Sequence, residues 1–150
     1  MSAVFKQPVS VLVVIHTPAL DVLLLERAES TGLWQSVTGS REGDEHLADT
    51  ALREVAEETG IQATAAALHD WQLANRFVIM QRWRGRYAPG VTQNTEHIFS
   101  LCLPAITPVQ LAPNEHTAAR WVPWREAAQA VFSWTNRDAI HLVAQRFQAS

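Results

Sequence analysis

The chain has 150 residues, enough for one domain with a hydrophobic core and too few for two domains of ordinary size. Hydrophobic residues make up 47% of it and charged residues 18%, a composition that excludes a disordered protein. The formal net charge of −3 argues against a protein that binds nucleic acid polymers non-specifically.

Short strands are predicted in the first forty or so residues. The β-branched run Val9–Ile15 predicts a strand that is buried on both faces. Val22–Leu25 repeats this pattern after a turn, and Trp34–Thr38 predicts a further short strand that ends at Gly39. The sequence therefore begins with at least three candidate strands of one sheet.

An amphipathic helix is predicted next. Asp44 suits the N-cap, and Leu47, Ala51 and Val55 recur at the spacing of one helix face. Gly60 stands where a left-handed C-cap usually ends a helix. This helix carries most of the acidic residues discussed below.

The second half of the chain alternates between strand and helix patterns. Strands are predicted at Trp71–Leu73, Arg76–Met80, His97–Leu103 and Arg120–Val122. Helices are predicted at Arg125–Val131 and Asn136–Phe147, the second with a capping box formed by Thr135 and Asp138. The whole pattern predicts an α/β domain in which helices pack on one mixed sheet.

Cysteine usage and the apolar runs bear on location. Cys102 is the only cysteine, so no intramolecular disulfide can form. The N-terminus lacks a signal-type apolar core, and Val9–Ile15 is far shorter than the ~20 residues of a membrane helix. We expect a cytoplasmic monomer whose partners are small molecules, with neither a nucleic acid polymer nor a membrane among them.

The negative charge is concentrated in residues 39–61, which hold seven acidic and two basic residues, whereas the remainder carries a net charge of +2. On the predicted helix, Glu54, Glu57 and Glu58 share one stripe at spacings of three and four residues. Like charges at these spacings repel by a few tenths of a kcal/mol per pair. The helix dipole disfavours negative charge in the last turn, where Glu57 and Glu58 lie, by about 0.3–1 kcal/mol. The structural interpretation is a solvated acidic helix whose charge Arg53 neutralises. The repulsion between the glutamates and their unfavourable position in the helix dipole both lower stability at one place, and this favours a functional site.

Clustered carboxylates suit hard divalent cations, Mg²⁺ or Mn²⁺ before Zn²⁺. Because Mg²⁺ tends to share phosphate oxygens, a polyphosphate is the natural substrate class. Gly39, Glu45 and the segment Arg53–Ile61, separated by five and seven residues, match the signature box of the Nudix hydrolases at every defined position. The chain therefore resembles that family.

The resemblance implies a Nudix-type α/β/α sandwich with a mixed central sheet, a single domain over residues 1–150, and hydrolysis of a diphosphate linked to another group. It also implies a metal site. Glu54 and Glu58, often with Glu57, would be the metal ligands, helped by the carbonyl of Gly39. Arg53 would orient the glutamates.

Outside the box, four segments resemble the branch of the family formed by bacterial diphosphatases of dihydroneopterin triphosphate: Phe5–Ser10, Trp34–Ser40, Arg86–Thr92 and Ser133–Arg137. By this resemblance Glu115 would be a further metal ligand, or the base that deprotonates the attacking water, a role that also stays open to Glu57 and Glu58. Lys6 and Arg27 would contact the triphosphate. The pterin or ribose-like end of the substrate would be lined by Thr38, Phe77, Val78, Ile79, Met80 and Ser133.

Two features stay open between a structural and a functional interpretation. Trp34 either stacks on the pterin ring or lies in the core. A basic cluster with no acid among its arginines either is an ordinary basic surface or steers an anionic substrate. It comprises Arg76, Arg82, Arg84 and Arg86.

Three alternatives remain beside the diphosphatase. The nearest is a pyrophosphohydrolase of dATP or another dNTP, since both substrates join a ring and a short tail to a triphosphate. The second is a Nudix-fold module that binds a nucleotide without cleaving it, a case that loss of box glutamates would mark. A Nudix-like isomerase is the least favoured, because the flanking segments point elsewhere.

Overall fold

The computed structural model describes residues 4–112 and 114–148. Seven strands in these ranges form one sheet, and three helices pack on it. The strands are β1 Val9–His16, β2 Asp21–Arg27, β3 Trp34–Gln35, β4 Val37–Ser40, β5 Leu68–Val78, β6 Gln93–Cys102 and β7 His116–Pro123. The helices are α1 Leu47–Thr59, α2 Trp124–Ala130 and α3 Trp134–Gln148.

The sheet is mixed and centred on β1. Its strand order is β3-β2-β1-β6-β5, with β4 paired to β1 and β7 paired to β2. β1 and β6 run parallel, whereas the other pairs are antiparallel. The predicted α/β class with a mixed central sheet is confirmed.

Helices cover both faces of the sheet because side chains alternate along β1. Leu12 and Val14 pack with residues of α2 and α3, whereas Val11, Val13 and Ile15 pack with residues of α1. The apolar run therefore serves two cores at once, which gives the expected three layers. No helix within the described ranges is both long and apolar enough to cross a bilayer.

The start of α1 differs from the prediction. Its N-cap is His46 and not Asp44. The carboxylate of Glu45 accepts hydrogen bonds from the Glu42 N–H, at 2.9 Å, and from the Thr50 hydroxyl, at 3.0 Å. This turn holds Asp44 in the loop before the helix, so that the acid most like an N-cap in the sequence does not cap.

Three other predicted features have mixed outcomes. Gly60 is the left-handed C-cap of α1, as predicted, with φ of 75°. The two strand pieces predicted between residues 71 and 80 belong to the single strand Leu68–Val78, which ends two residues before the predicted end at Met80. Its register shifts between Asp70 and Ala74. The capping box at the start of α3 is wrong, because the hydroxyl of Ser133 accepts the hydrogen bond of an N–H in the first turn.

Candidate active site

Three carboxylates project from the last two turns of α1. Glu58 is buried, the side chain of Glu54 is 12% exposed, and that of Glu57 is 52% exposed. Glu54 rests directly on the backbone of Gly39 in β4, where a Cβ atom would lie 2.0 Å from the Glu54 Cδ. Glycine at this position is therefore what allows the helix carboxylate to approach the strand.

Arg53 ties the loop before α1 to these carboxylates. Its guanidinium donates to Glu45, at 2.7 Å, to the carbonyl of Ser40, at 3.0 Å, and to Glu54, at 2.8 Å. Glu57 lies 3.3 Å from the same guanidinium. The hydrogen bond from Arg53 lowers the pKa of Glu45 to about 2, so Glu45 is ionised and anchors the arginine.

Glu58 is a buried carboxyl group, and its Oε1 atom has no hydrogen-bond partner among the described residues. Burial first, and the neighbouring Glu54 second, raise its pKa well above the usual range, and burial also raises the pKa of Glu54. His116 Nε2 lies 3.8 Å from Glu58 Oε1, but burial lowers the pKa of His116 to about 4, so this neutral ring does not neutralise the carboxylate.

The donor set fits a hard divalent cation. Carboxylate oxygens predominate, and one of them is buried without a partner. A bound cation would offset the burial, and the repulsion between neighbouring carboxylates, that raise the pKa values of Glu54 and Glu58. In the part of the chain that the structure describes, no three His, Cys, Asp or Glu side chains already converge at ligand distances. Glu54 and Glu57 are instead turned toward Arg53.

Two cavities adjoin at this site. The first, of about 640 Å³, is lined by the carboxylates of α1 and by Glu115. The second, of about 550 Å³, shares part of its lining with the first and has largely apolar walls. The residues common to both are Lys6, Arg27, Gln35, Thr38, Gly39, Ser40 and Arg86.

The junction between the cavities is basic and held in place by Glu29. This carboxylate accepts hydrogen bonds from Arg27 Nε, at 2.9 Å, from Arg86, at 2.8 Å, and from the indole of Trp83, at 3.0 Å. Burial lowers the pKa of the adjacent Lys6, and the positive charge of Arg86 adds to this effect. Three basic groups therefore face one junction, an arrangement that suits phosphate oxygens.

The structure brings nearly all of the predicted site residues to these cavities. The first cavity is lined by the predicted metal-site residues Gly39, Glu54, Glu57, Glu58 and Glu115. The second is lined by the predicted substrate residues Thr38, Phe77, Val78, Ile79, Met80 and Ser133, and Lys6 and Arg27 line both. Arg53 lines neither cavity, and its guanidinium donates hydrogen bonds to Glu54 and Glu57. The roles of these residues stay predictions.

Trp34 and most of the basic cluster lie away from the cavities. Trp34 packs on the core beside α2 and α3 and under Arg120, which answers the open question in favour of the core. Of the four arginines in the basic cluster, Arg86 alone lines the cavities. Arg82 stacks on Trp83, and Arg84 donates to the Ile79 carbonyl.

Sequence reasoning missed several cavity residues. Among them are Glu29, Gln35, Trp83, Tyr87, Asn94, Glu96, His116 and Thr135. Two of them could have been found from the strand pattern. Asn94 and Glu96 share the inward face of β6 with Ile98, and polar residues are unusual on such a face. Glu29 and Trp83 meet at the site only through a long-range contact. Other missed residues, such as Gln35, His116 and Thr135, lie within three residues of predicted site residues.

Comparisons with known proteins give consistent results. A family model described as the NUDIX domain matches residues 6–143. The chain is 45% identical over 140 residues to the dihydroneopterin triphosphate diphosphatase of Escherichia coli K12, covering 91% of this chain and 92% of that protein. It is 37% identical over 145 residues to the enzyme of the same name from Haemophilus influenzae, covering 91% and 87%. The solved structure of the E. coli dihydroneopterin triphosphate pyrophosphohydrolase superposes with a TM-score of 0.87 at 43% identity, covering 93% of this chain and 97% of that one.

Proposed function

The chain belongs to the Nudix hydrolase family, and on that premise we propose that it hydrolyses dihydroneopterin triphosphate to dihydroneopterin monophosphate and pyrophosphate. The observation that carries the proposal is the pair of adjoining cavities. An acidic cavity, a basic junction and an apolar cavity follow one another, in the order that a metal-bound polyphosphate joined to a flat ring requires. Two relatives that align with nine-tenths of the chain are named for that substrate.

The chemistry that a bound divalent cation supplies here is a lower pKa for the attacking water and neutralisation of phosphate charge. We propose Mg²⁺, with Mn²⁺ as the alternative, held by glutamate oxygens and the Gly39 carbonyl. The glutamates that would hold it are Glu54, Glu57, Glu58 and Glu115. A carboxylate oxygen of Glu57, Glu58 or Glu115 takes the proton from the water.

The remaining residues bind and orient. Arg53 fixes Glu54 while its other donors grip Glu45 and the Ser40 carbonyl. Lys6 and Arg27 bind the triphosphate at the junction, with Arg27 pre-positioned by its hydrogen bond to Glu29. The apolar cavity beyond them takes the ring.

Small molecules are the only partners that this proposal needs. We propose that the chain acts as a single Nudix domain and as a monomer in the cytoplasm. A lone cysteine, Cys102, half-buried and without a second thiol to pair with, suits a reducing compartment.

Pyrophosphate release tests the proposal. With Mg²⁺ present, kcat/KM is measured for dihydroneopterin triphosphate and for each of the four dNTPs. The proposal expects the pterin substrate to be preferred. A preference for dATP or another dNTP would assign the chain to the nucleotide pyrophosphohydrolases instead, and no release from any substrate would favour the binding module.

Replacing Arg27 by glutamine is expected to lower kcat/KM roughly 10- to 100-fold, because one charge-assisted contact to phosphate contributes about 1.5–3 kcal/mol. Arg120→Gln is a matched control, since Arg120 also stacks on a tryptophan, at 4.4 Å from the ring centroid against 4.5 Å for Arg27, but lies outside both cavities. Initial rates with the preferred substrate measure the difference. Equal kcat/KM values for the two variants would contradict the phosphate-binding role.

A further inference from the structure

The floor of the apolar cavity contains two buried polar side chains that the proposed mechanism does not use. Asn94 and Glu96 stand two residues apart on β6 and face the same side of the sheet. They are 4% and 5% exposed, and both line the cavity. The walls around them include Phe77, Trp83 and Phe132, so the cavity suits a flat ring.

Both side chains carry an acceptor atom that nothing in the described ranges satisfies. Glu96 Oε1 and Asn94 Oδ1 have no hydrogen-bond partner. The amide nitrogen of Asn94 donates to Ser10 Oγ at 2.7 Å, which fixes the orientation of the amide and leaves its oxygen free. The carboxyl of Glu96 contacts the hydroxyl of Thr135, and no ion pair between described residues includes it.

Such groups are costly unless a ligand satisfies them. A buried polar atom left without a partner loses its hydrogen bonds to water without replacement, and the loss is larger if the atom is charged. Burial raises the pKa of Glu96 to about 7, which expresses the same cost. A merely structural position would be filled at lower cost by an apolar residue such as Ile98, which follows on the same face of β6.

The complement of a carboxylate is a pair of adjacent N–H donors. A 2-amino-4-oxopyrimidine ring presents such a pair, its ring N–H and its exocyclic amino group, and this edge is common to pterins and guanine. Adenine presents a ring acceptor beside its amino group, so only one of its two edge atoms can donate to a carboxylate. A carboxylate on the cavity floor therefore discriminates between these two kinds of ring.

The sheet also sets the distance between this floor and the acidic cavity. Ser10 of β1 is in register with Glu96 of β6 on one side and with Ser40 of β4 on the other. Glu96 and Ser40 are therefore two strand spacings apart, about 10 Å. Ser40 follows Gly39, on which the Glu54 carboxyl rests. A ring bound at Glu96 would direct a short tail toward the junction and the carboxylates.

We propose that Glu96 is the specificity-determining residue of this enzyme, accepting both N–H donors of a 2-amino-4-oxopyrimidine ring, with Asn94 Oδ1 as a further acceptor beside it. The proposal deepens the proposed function, on which it rests for the identity of the triphosphate. It selects pterin and guanine rings over adenine.

The test uses Glu96→Gln, which keeps the shape of the side chain and replaces one acceptor by a donor. Binding of dihydroneopterin alone, measured by calorimetry in EDTA, is expected to weaken roughly 10- to 100-fold, since one ring N–H is left facing a donor. The kcat/KM for dihydroneopterin triphosphate falls by a similar factor, whereas that for dATP changes less than about threefold. Glu126→Gln, at an exposed position of α2, is the matched control and changes neither.

Loss of activity toward both substrates in parallel would overturn the proposal, because a structural role predicts a common loss. Unchanged dihydroneopterin affinity, or none measurable in the wild type, would also overturn it. Glu96→Asp provides a second variant if Glu96→Gln does not fold, since it keeps the charge and withdraws it by one methylene. It is expected to show the same selective loss for the pterin.

The outcomes separate this proposal from the proposed function. If the wild type prefers dihydroneopterin triphosphate and Glu96→Gln retains that preference, the function stands and the assignment of Glu96 fails. If the wild type prefers a dNTP while dihydroneopterin and deoxyguanosine still bind through Glu96 and deoxyadenosine does not, the substrate fails and the assignment of Glu96 stands.

Discussion

Replacing Glu58 by glutamine is expected to lower kcat by about two to three orders of magnitude without unfolding the protein. A metal site contributes several kcal/mol of charge stabilisation in the transition state, and each 1.36 kcal/mol is tenfold in rate. The neutral amide removes the charge from the carboxyl that is buried at 1% exposure and has an unpartnered Oε1. Steady-state kinetics and Mn²⁺ binding by calorimetry measure the two losses.

The same substitution should leave stability in EDTA unchanged or raise it. Burial raises the pKa of Glu58 above its value in the unfolded chain. The folded state therefore favours the protonated carboxyl, and ionisation at higher pH costs stability, beginning above the unfolded pKa. A glutamine has no such cost, so the free energy of unfolding of the variant should fall less than that of the wild type as pH rises from 4 to 8.

Asp49→Asn is the matched control for this experiment. Asp49 is an exposed acid in the first turn of the same helix, outside both cavities, and its substitution removes the same charge. Its kcat should stay within about twofold of the wild-type value. A change of that size corresponds to much less than the 1.36 kcal/mol of transition-state stabilisation that a tenfold change requires. Near-normal turnover in Glu58→Gln, or in the companion variant Glu54→Gln, would show that these carboxylates do not hold the metal.

The parts of the fold that follow from local sequence were predictable. The continuous apolar run of β1 predicts a strand buried on both faces, whatever its neighbours are. Gly60 predicts the left-handed residue that ends α1. The spacing of the box glutamates fixes their common stripe, because the helix period is a property of the backbone alone. These features do not depend on what the distant chain does.

Capping was predicted less well, because competing partners decide it. Asp44 is a better N-cap by type than His46, but the Glu45 carboxylate organises the turn through Glu42 and Thr50. Thr135 resembles a cap in the sequence, whereas in the structure it lies inside the first turn of α3 and its hydroxyl contacts Glu96. Both differences arise from side-chain contacts that propensity does not describe.

Cavity residues that depend on long-range contacts could not be predicted from spacing. Glu29 meets Trp83 and Arg86 across more than fifty residues of sequence, and only the folded chain shows that it holds Arg27 in place. The concentration of acid in residues 39–61 was visible from the start. The basic junction beside this acidic segment could not be predicted from spacing, because its basic residues are scattered along the sequence.

Replacing Gly39 by alanine is expected to lower kcat/KM about 100-fold while changing the melting temperature little. The added Cβ would lie 2.0 Å from Glu54 Cδ and 2.3 Å from Glu54 Oε1, so the carboxyl must move by about an ångström or more. A displacement of this size at a catalytic group costs on the order of 10² in rate. Because the clashing atoms are the end of a flexible side chain, the fold itself can adjust. Gly85→Ala, with nothing within 4 Å of its Cβ, is the control and should behave as the wild type.

A double-mutant cycle decides whether the loss acts through Glu54. If alanine at position 39 harms the enzyme only by displacing that carboxyl, the substitution should cost much less in a Glu54→Gln background, where the carboxylate is already absent. Additive losses would mean that Gly39 acts separately, for example through its own carbonyl. In both cases the close approach of β4 to α1 explains why position 39 is a glycine. A side chain on the strand at this position would occupy the space that the Glu54 carboxylate fills.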